Sequence, residues 1–107
     1  MYSIIWKYTI KPENKERFEL QYGPSGIWAK LFSESKQFLG SYMHRNTDIP
    51  DTYLIIDTWD SKESYDDFAQ RNADIYSELS EKFKSIYLSE EKMGNFSLVE
   101  ERRIHQN

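Results

Sequence analysis

The chain contains no cysteine, which excludes disulfide bonds, thiolate zinc sites and a cysteine nucleophile. Basic residues are not in excess either, because 14 Lys and Arg stand against 18 Asp and Glu, for a net charge of -4. Without a basic stripe to neutralise phosphates, nucleic acid is not expected as a partner. No apolar run approaches the roughly 20 residues of a membrane span, and the first residues do not have the pattern of a signal peptide. We therefore expect a cytoplasmic protein without a membrane partner.

Large side chains, in contrast, are plentiful. Aromatic residues make up 16% and hydrophobic residues 38% of the 107 residues, which favours a folded chain. That length suits one core and is too short for two. The sequence predicts a single domain over residues 1–100 and a polar C-terminal tail over residues 101–107. It contains no phosphate-binding glycine loop, no nucleophile elbow and no metal-ligand motif.

The first third of the chain predicts one strand and two helices. Residues 2–10 alternate at the period of a strand. Pro12 suits the first position of a helix, which we expect to end at Gly23 in a left-handed conformation. Ser25 is the expected cap of a second, short helix whose wide apolar face must be buried on a sheet.

The rest of the chain predicts a hairpin, a helical region and a last strand. Residues 37–46 and 52–60 are strand-like and separated by a loop. Ser61 is the expected cap of a long helical stretch that polar Asn72 interrupts, so two abutting helices are possible. A short final strand is expected from Met93 to Val99, after a solvated connection. The order β, α, α, β, β, α, β predicts an α+β fold of the ferredoxin-like, split βαβ class, with a four-stranded antiparallel sheet.

Both faces of this sheet carry apolar residues. In the strand over residues 52–60, Leu54 and Ile56 point one way, whereas Asp57 and Trp59 point the other. Helices cover only one face, and monomers rarely leave a large apolar patch in water. The sequence therefore predicts a homodimer, sheet against sheet, around a space that suits a small aromatic molecule.

Four stretches also carry a family resemblance: YGPSGIWAKLF, FLGSYMHR, YLIIDTWDS and ESYDDF. In order and spacing they resemble the antibiotic biosynthesis monooxygenase-like proteins of the dimeric α+β barrel superfamily, from Ile5 to about Phe96. The resemblance implies a homodimeric barrel and, for some members, an oxygenase that acts on aromatic polyketides or quinol-like substrates without metal or flavin. Other members of the superfamily degrade haem, decompose small metabolites or have no established activity, so the fold does not settle the function.

His44 and Asp57 are the candidate catalytic residues. His44 is either a general base or proton shuttle, or a surface histidine at a strand end. Asp57 lies among apolar neighbours, where a carboxylate needs a hydrogen bond or a paired charge. The two alternatives for Asp57 are a structural role, through a salt bridge or a backbone hydrogen bond within the barrel in which Lys7 or Arg45 is the candidate partner, and a role towards the substrate.

The candidate substrate-binding residues are aromatic or basic side chains near the expected cavity. They are Tyr42, Trp28, Trp59, Tyr53 and Lys7. Tryptophans can stack on a ring, although most tryptophans of small domains belong to the core. The catalytic hypothesis requires Tyr42, His44, Asp57 and Trp59 to face one cavity.

The resemblance bears on cofactors as well. The haem-degrading branch carries an axial histidine on a helix, whereas the helical region over residues 61–87 has none, and His44 and His105 are predicted outside helices. We therefore expect no haem, metal or other cofactor. The sequence favours a cofactor-independent monooxygenase for a small aromatic or quinol-like substrate. The alternative is a non-catalytic small-molecule-binding or dimerisation module of the same fold.

Overall fold

The computed structural model describes residues 1–104 and contains one antiparallel sheet with its helices on one side. The strands are β1 (Tyr2–Ile10), β2 (Phe38–Arg45), β3 (Thr52–Trp59) and β4 (Tyr87–Ser97). The helices are α1 (Lys15–Tyr22), α2 (Ile27–Phe32), α3 (Lys62–Arg71) and α4 (Ala73–Phe83), and a 3-10 turn at Pro12–Asn14 precedes α1. The strand order β2-β3-β1-β4 confirms the ferredoxin-like α+β prediction.

Helix ends follow the local sequence in the second half of the chain. The Ser61 hydroxyl accepts a hydrogen bond from the Ser64 backbone N–H at 3.1 Å, which confirms this cap at the start of α3. Asn72 ends α3, and its side-chain amide donates to the Phe68 carbonyl at 2.9 Å. The helical region is therefore two abutting helices, and α4 starts with a new angular phase.

The break between α1 and α2 differs from the sequence prediction. Gly23 has φ −79° and ψ 179°, an extended conformation rather than the left-handed one. Glycine is needed there for space, because a Cβ atom would lie 2.4 Å from the Glu19 carbonyl oxygen. Gly26, not Ser25, directly precedes α2, and no side chain caps this helix.

The last strand begins six residues earlier than the predicted start at Met93. Tyr87 already pairs with Ile10, and Glu90 pairs with Tyr8, so the expected solvated connection over residues 90–92 is part of β4. Polar residues conceal this strand in the sequence because β4 is an edge strand, where charged side chains are tolerated. Residues 98–104 have no regular secondary structure.

The two sides of the sheet differ in burial. On the helix side, β1 and β3 contribute fully buried side chains such as Ile4, Ile10 and Trp59. On the opposite side, Tyr42, Leu54 and Phe96 are 53%, 38% and 48% exposed. The side without helices is therefore an exposed apolar sheet face, as the alternation predicts. Among residues 1–104, no helix has both the length and the hydropathy to cross a membrane.

Candidate active site

A cavity of about 80 Å³ lies between the sheet and the helices of a single chain. A cavity needs roughly 10–15 Å³ to hold one water molecule, so this cavity has room for several waters or a small ligand. Most of its wall is aromatic. The aromatic residues with a polar tip that line it are Trp6, Tyr8, Tyr22, Trp28, Tyr76 and Tyr87. The sequence predicted a cavity at the exposed apolar sheet face, between two subunits. This cavity lies instead on the opposite side of the sheet, under the helices.

Regular spacing brings these rings together. Trp6 and Tyr8 are two residues apart on β1 and therefore share the helix side of the sheet. Tyr22 ends α1, and its ring centroid lies 5.3 Å from that of Tyr8. Trp28 of α2 meets Tyr76 of α4 edge to face, with the centroids 4.9 Å apart. Three helices and the sheet thus each contribute rings to one wall.

Asp57 is the buried carboxylate of the cavity. It lies two residues before the end of β3 and is only 8% exposed. Burial raises the pKa of Asp57 to about 6, while a hydrogen bond donated by the Ser41 hydroxyl at 2.8 Å opposes the rise. Near neutral pH this carboxyl group therefore changes charge, as a general base should.

Asp57 has no salt bridge among residues 1–104. Arg45, one of its two predicted partners, pairs instead with Glu19 at 2.8 Å. Lys7, the other, pairs in register with Leu54 on the exposed apolar sheet face. The salt-bridge alternative for Asp57 is therefore wrong, and its one side-chain partner among the described residues is Ser41.

The remaining polar groups of the wall are mainly neutral donors. Burial raises the pKa of Tyr22 and of Tyr76 well above the ordinary range, so both hydroxyls keep their protons. The Trp28 indole N–H is close enough to the Tyr22 hydroxyl to oppose that rise in pKa. Its nitrogen is nevertheless buried and has no hydrogen-bond partner within the described residues. A buried donor of this kind is available to a ligand.

A second carboxylate lies at the edge strand. The Tyr8 hydroxyl donates a hydrogen bond to Glu90 Oε2 at 2.6 Å, and both residues line the cavity. Burial, and then this bond, raise the pKa of Tyr8 far above its usual value. Glu90 is exposed, as expected for the solvated connection, but it belongs to β4 and also borders the cavity.

The structure separates the residues that the catalytic hypothesis grouped together. Directly opposed residues on paired strands share a face of the sheet. Asp57 is opposite Ser41, whereas Tyr42 is opposite Ile56 and His44 is opposite Leu54. Tyr42, His44 and Lys7 therefore lie on the exposed apolar sheet face, and the expectation that Tyr42 and His44 share a cavity with Asp57 is wrong.

The predicted aromatic residues also divide. Trp28 lines the cavity. Trp59 is 0% exposed and packs against Phe38 and Phe68, with centroids 5.2 and 5.1 Å away, so its position is that of a core residue. Tyr53 is buried as well, and its hydroxyl donates to Glu19 at the far end of the sheet. Neither Trp59 nor Tyr53 lines the cavity.

Several cavity residues escaped the sequence reasoning, among them Ser41, Tyr76 and Glu90. On α4, Ile75 is 43% exposed, whereas its neighbour Tyr76 lines the cavity. Tyr76 takes the inward position because the break at Asn72 resets the helical phase, and the spacing Tyr76, Leu79, Phe83 was the available signal.

A family comparison is decisive for the class of the protein. The model of the antibiotic biosynthesis monooxygenase family matches residues 1–73 of the 107. The chain belongs to this family. Among curated proteins, no sequence matches it.

Solved structures share the monooxygenase-family fold. SnoaB, a cofactor-independent oxygenase from Streptomyces nogalater, is 14% identical with a TM-score of 0.69 over 94% of each chain. An MhuD variant with two manganese protoporphyrin IX molecules bound per active site is 17% identical, with a TM-score of 0.73 over 96% of this chain and 99% of its own. A conserved protein from Methanosarcina mazei is 14% identical, with a TM-score of 0.63 over 89% of each chain. At such identities, these likenesses show the fold alone.

Proposed function

We propose that this member of the family is a cofactor-independent monooxygenase that acts on a small phenolic or quinol-like molecule in the cavity. The observation that carries the proposal is Asp57, a buried carboxyl group with a pKa of about 6 that faces an aromatic wall. A base tuned near the working pH is what proton removal from a phenol or enol requires. The description of SnoaB as a cofactor-independent oxygenase on the same fold adds support.

In the proposed reaction, Asp57 removes the phenolic proton and the electron-rich anion reacts with oxygen. One oxygen atom becomes a new ring carbonyl, and the other leaves as water together with the ring hydrogen and the phenolic hydrogen. The substrate supplies all four electrons, so a phenol and O₂ give a quinone and H₂O. Redox cofactors are not needed for this balance.

The neutral donors of the wall have a role in this step. Negative charge develops on the substrate oxygen, and donors that are already oriented stabilise it without reorganisation. The Tyr22 and Tyr76 hydroxyls and the unpartnered Trp28 N–H are such donors. We propose that they hold the anion while Trp28 stacks on the ring.

We propose that haem is not the cofactor. The described residues that line the cavity include no histidine, and His44 lies exposed on the other side of the sheet. Residues 1–104 also contain no group of three or more His, Cys, Asp or Glu side chains that could hold a metal ion. His105 lies outside the described residues.

Oxygen uptake with a panel of hydroxylated aromatics and quinols tests the proposed function. The assay contains EDTA and no added flavin, haem or metal. We expect uptake with at least one compound, and its rate should rise as the pH passes through about 6, because Asp57 acts only when ionised. Uptake that depends on added cofactor would contradict the proposal. Binding without any uptake would favour the non-catalytic binding module.

We also propose that the exposed apolar sheet face is covered by a second copy of the chain. Light scattering at micromolar concentration should give twice the 12.9 kDa of one chain. Leu54→Glu places a charge in this face and should yield monomers. Leu20→Glu is the matched control, since Leu20 is exposed on α1, and should leave the dimer intact. A wild-type protein that scatters as a single chain would exclude this dimer.

A further inference from the structure

We propose that the ligand of this cavity carries a protonated amine, which binds at the Glu90 end while a phenolic ring lies towards Asp57. The assignment of the phenol to Asp57 rests on the proposed function. The amine site rests on separate observations of charge, aromatic surface and strand register.

The first observation is the charge of the wall. Two carboxylates line the cavity, Asp57 and Glu90, whereas the described lining residues include no lysine, arginine or histidine. An anionic ligand would meet two acids at neutral pH without a compensating cation. A cationic group would instead meet an opposite charge, and at Glu90, which is exposed on the edge strand, that charge is held in place by the hydrogen bond from Tyr8.

The second observation is the wall around Glu90. Tyr8 holds the carboxylate by its 2.6 Å hydrogen bond. The rings of Tyr8, Tyr22 and Tyr87 pack together, with centroid distances of 5.3 Å from Tyr8 to each partner and 6.3 Å between the partners. An organic cation is attracted both to a carboxylate and to aromatic faces, and the attraction increases when water is excluded.

The third observation is the separation of the two acids. Strand β1 pairs with β3 along one edge and with β4 along the other. In these pairings, Asp57 of β3 is opposite Ile4, and Glu90 of β4 is opposite Tyr8. Ile4 and Tyr8 are four residues apart, so the two acids are offset by about 13 Å along the strand. The cavity therefore has an Asp57 end and a Glu90 end, and one ligand can place a different group at each.

Lys92, near the cavity, would favour an anionic rather than a cationic ligand. Its Nζ lies 5.7 Å from the centroid of the Trp6 ring, and it lines a neighbouring groove that shares Trp6, Tyr76 and Ser80 with the cavity. A ligand with an anionic tail that reaches this groove would pair with Lys92. The two possibilities predict opposite orders of affinity.

A matched series of three para-substituted phenols tests the proposal. The compounds share a two-carbon tail that ends in an ammonium, a hydroxyl or a carboxylate group. Titration calorimetry at pH 7.5 under anaerobic conditions measures binding without turnover. We expect the amine to bind about tenfold tighter than the alcohol, and the carboxylate to bind most weakly. A carboxylate or alcohol that binds as tightly as the amine, or no binding of the amine, would overturn the proposal.

Two variants locate the effect. Glu90→Gln retains an acceptor for Tyr8 but removes the charge, so the amine should lose its advantage over the alcohol to within about twofold. Glu91→Gln is the control, because Glu91 is adjacent on β4 but pairs with Lys7 on the exposed apolar sheet face. It should leave the tenfold preference unchanged. Equal losses in both variants would indicate a general field effect and overturn the assignment to Glu90.

The outcomes also separate this proposal from the proposed function. The order of affinity concerns binding, whereas oxygen uptake concerns turnover by Asp57. An amine preference that depends on Glu90, with no oxygen uptake by any compound, would support the amine site and contradict the oxygenase. Oxygen uptake without an amine preference would support the oxygenase and contradict the amine site.

Discussion

Asp57→Asn should lower the rate of oxygen uptake by about 10² to 10⁴-fold, which is the usual contribution of a general base. Asparagine has nearly the same shape and still accepts the hydrogen bond from Ser41, but it cannot take up a proton. Uptake should be measured at pH 7.5 with the best compound of the panel. The loss should be in kcat, because Asp57 takes the substrate proton in the transition state and contributes little to ground-state binding.

Two control variants make this result specific. Asp60→Asn is the same substitution at an exposed residue just after β3 and should retain the wild-type rate. His44→Ala should also retain it, because His44 lies on the opposite side of the sheet from the cavity. A rate that falls in His44→Ala but not in Asp57→Asn would reverse the assignment of the base.

Asp57→Asn should also stabilise the protein at alkaline pH. A loss of activity at that pH would therefore not be caused by unfolding. The pKa of Asp57 is raised from 3.8 to about 6 by burial, so the folded state binds its proton more tightly than the unfolded state. The resulting stability is complete below about pH 4 and is lost as the pH rises through about 6. At pH 8, Asn should increase the free energy of unfolding by about 1–3 kcal/mol. At pH 4 the two proteins should be nearly equal in urea titrations.

Trp59→Ala should lower the free energy of unfolding by about 3–5 kcal/mol, the range for large aromatic side chains deleted from a core. Trp59 is fully buried, and its ring contacts those of Phe32, Phe38, Tyr65 and Phe68. Urea unfolding followed by circular dichroism measures the loss. A loss below about 1 kcal/mol would contradict the core assignment.

Phenylalanine in place of Trp59 and, separately, of Trp28 distinguishes a packing role from a role in ligand binding. The Trp59 indole N–H has no hydrogen-bond partner among the described residues, so Trp59→Phe removes no bond and should leave ligand affinity unchanged. Trp28→Phe removes the indole N–H of a residue that lines the cavity and should weaken binding of a phenolic ligand. Weaker binding in Trp59→Phe instead would return Trp59 to the substrate site.

The chain by itself determines the architecture because its local signals agree with one another. The alternation over residues 2–10, the cap at Ser61 and the break at Asn72 all act within a few residues, and each is found in the structure. A register shift between Phe38 and Gly40 marks a β-bulge, which is the usual meaning of a glycine inside a strand. Asp57 and Trp28, which line the cavity, could also be proposed from the sequence. The signals were a carboxylate among apolar residues and a large ring on a short apolar helix.

The membership of the site was decided only by the tertiary structure, and strand register is the reason. A shift of one residue moves every side chain of a strand to the other face. In β2 and β3 both faces carry apolar residues, so hydrophobicity does not choose between Ser41 and Tyr42 as the neighbour of Asp57. The pairing of Arg45 with Tyr53 fixes that choice and leaves His44 outside the cavity. Glu90 joins the cavity for a similar reason: only pairing with β1 shows that it belongs to a strand and faces Tyr8.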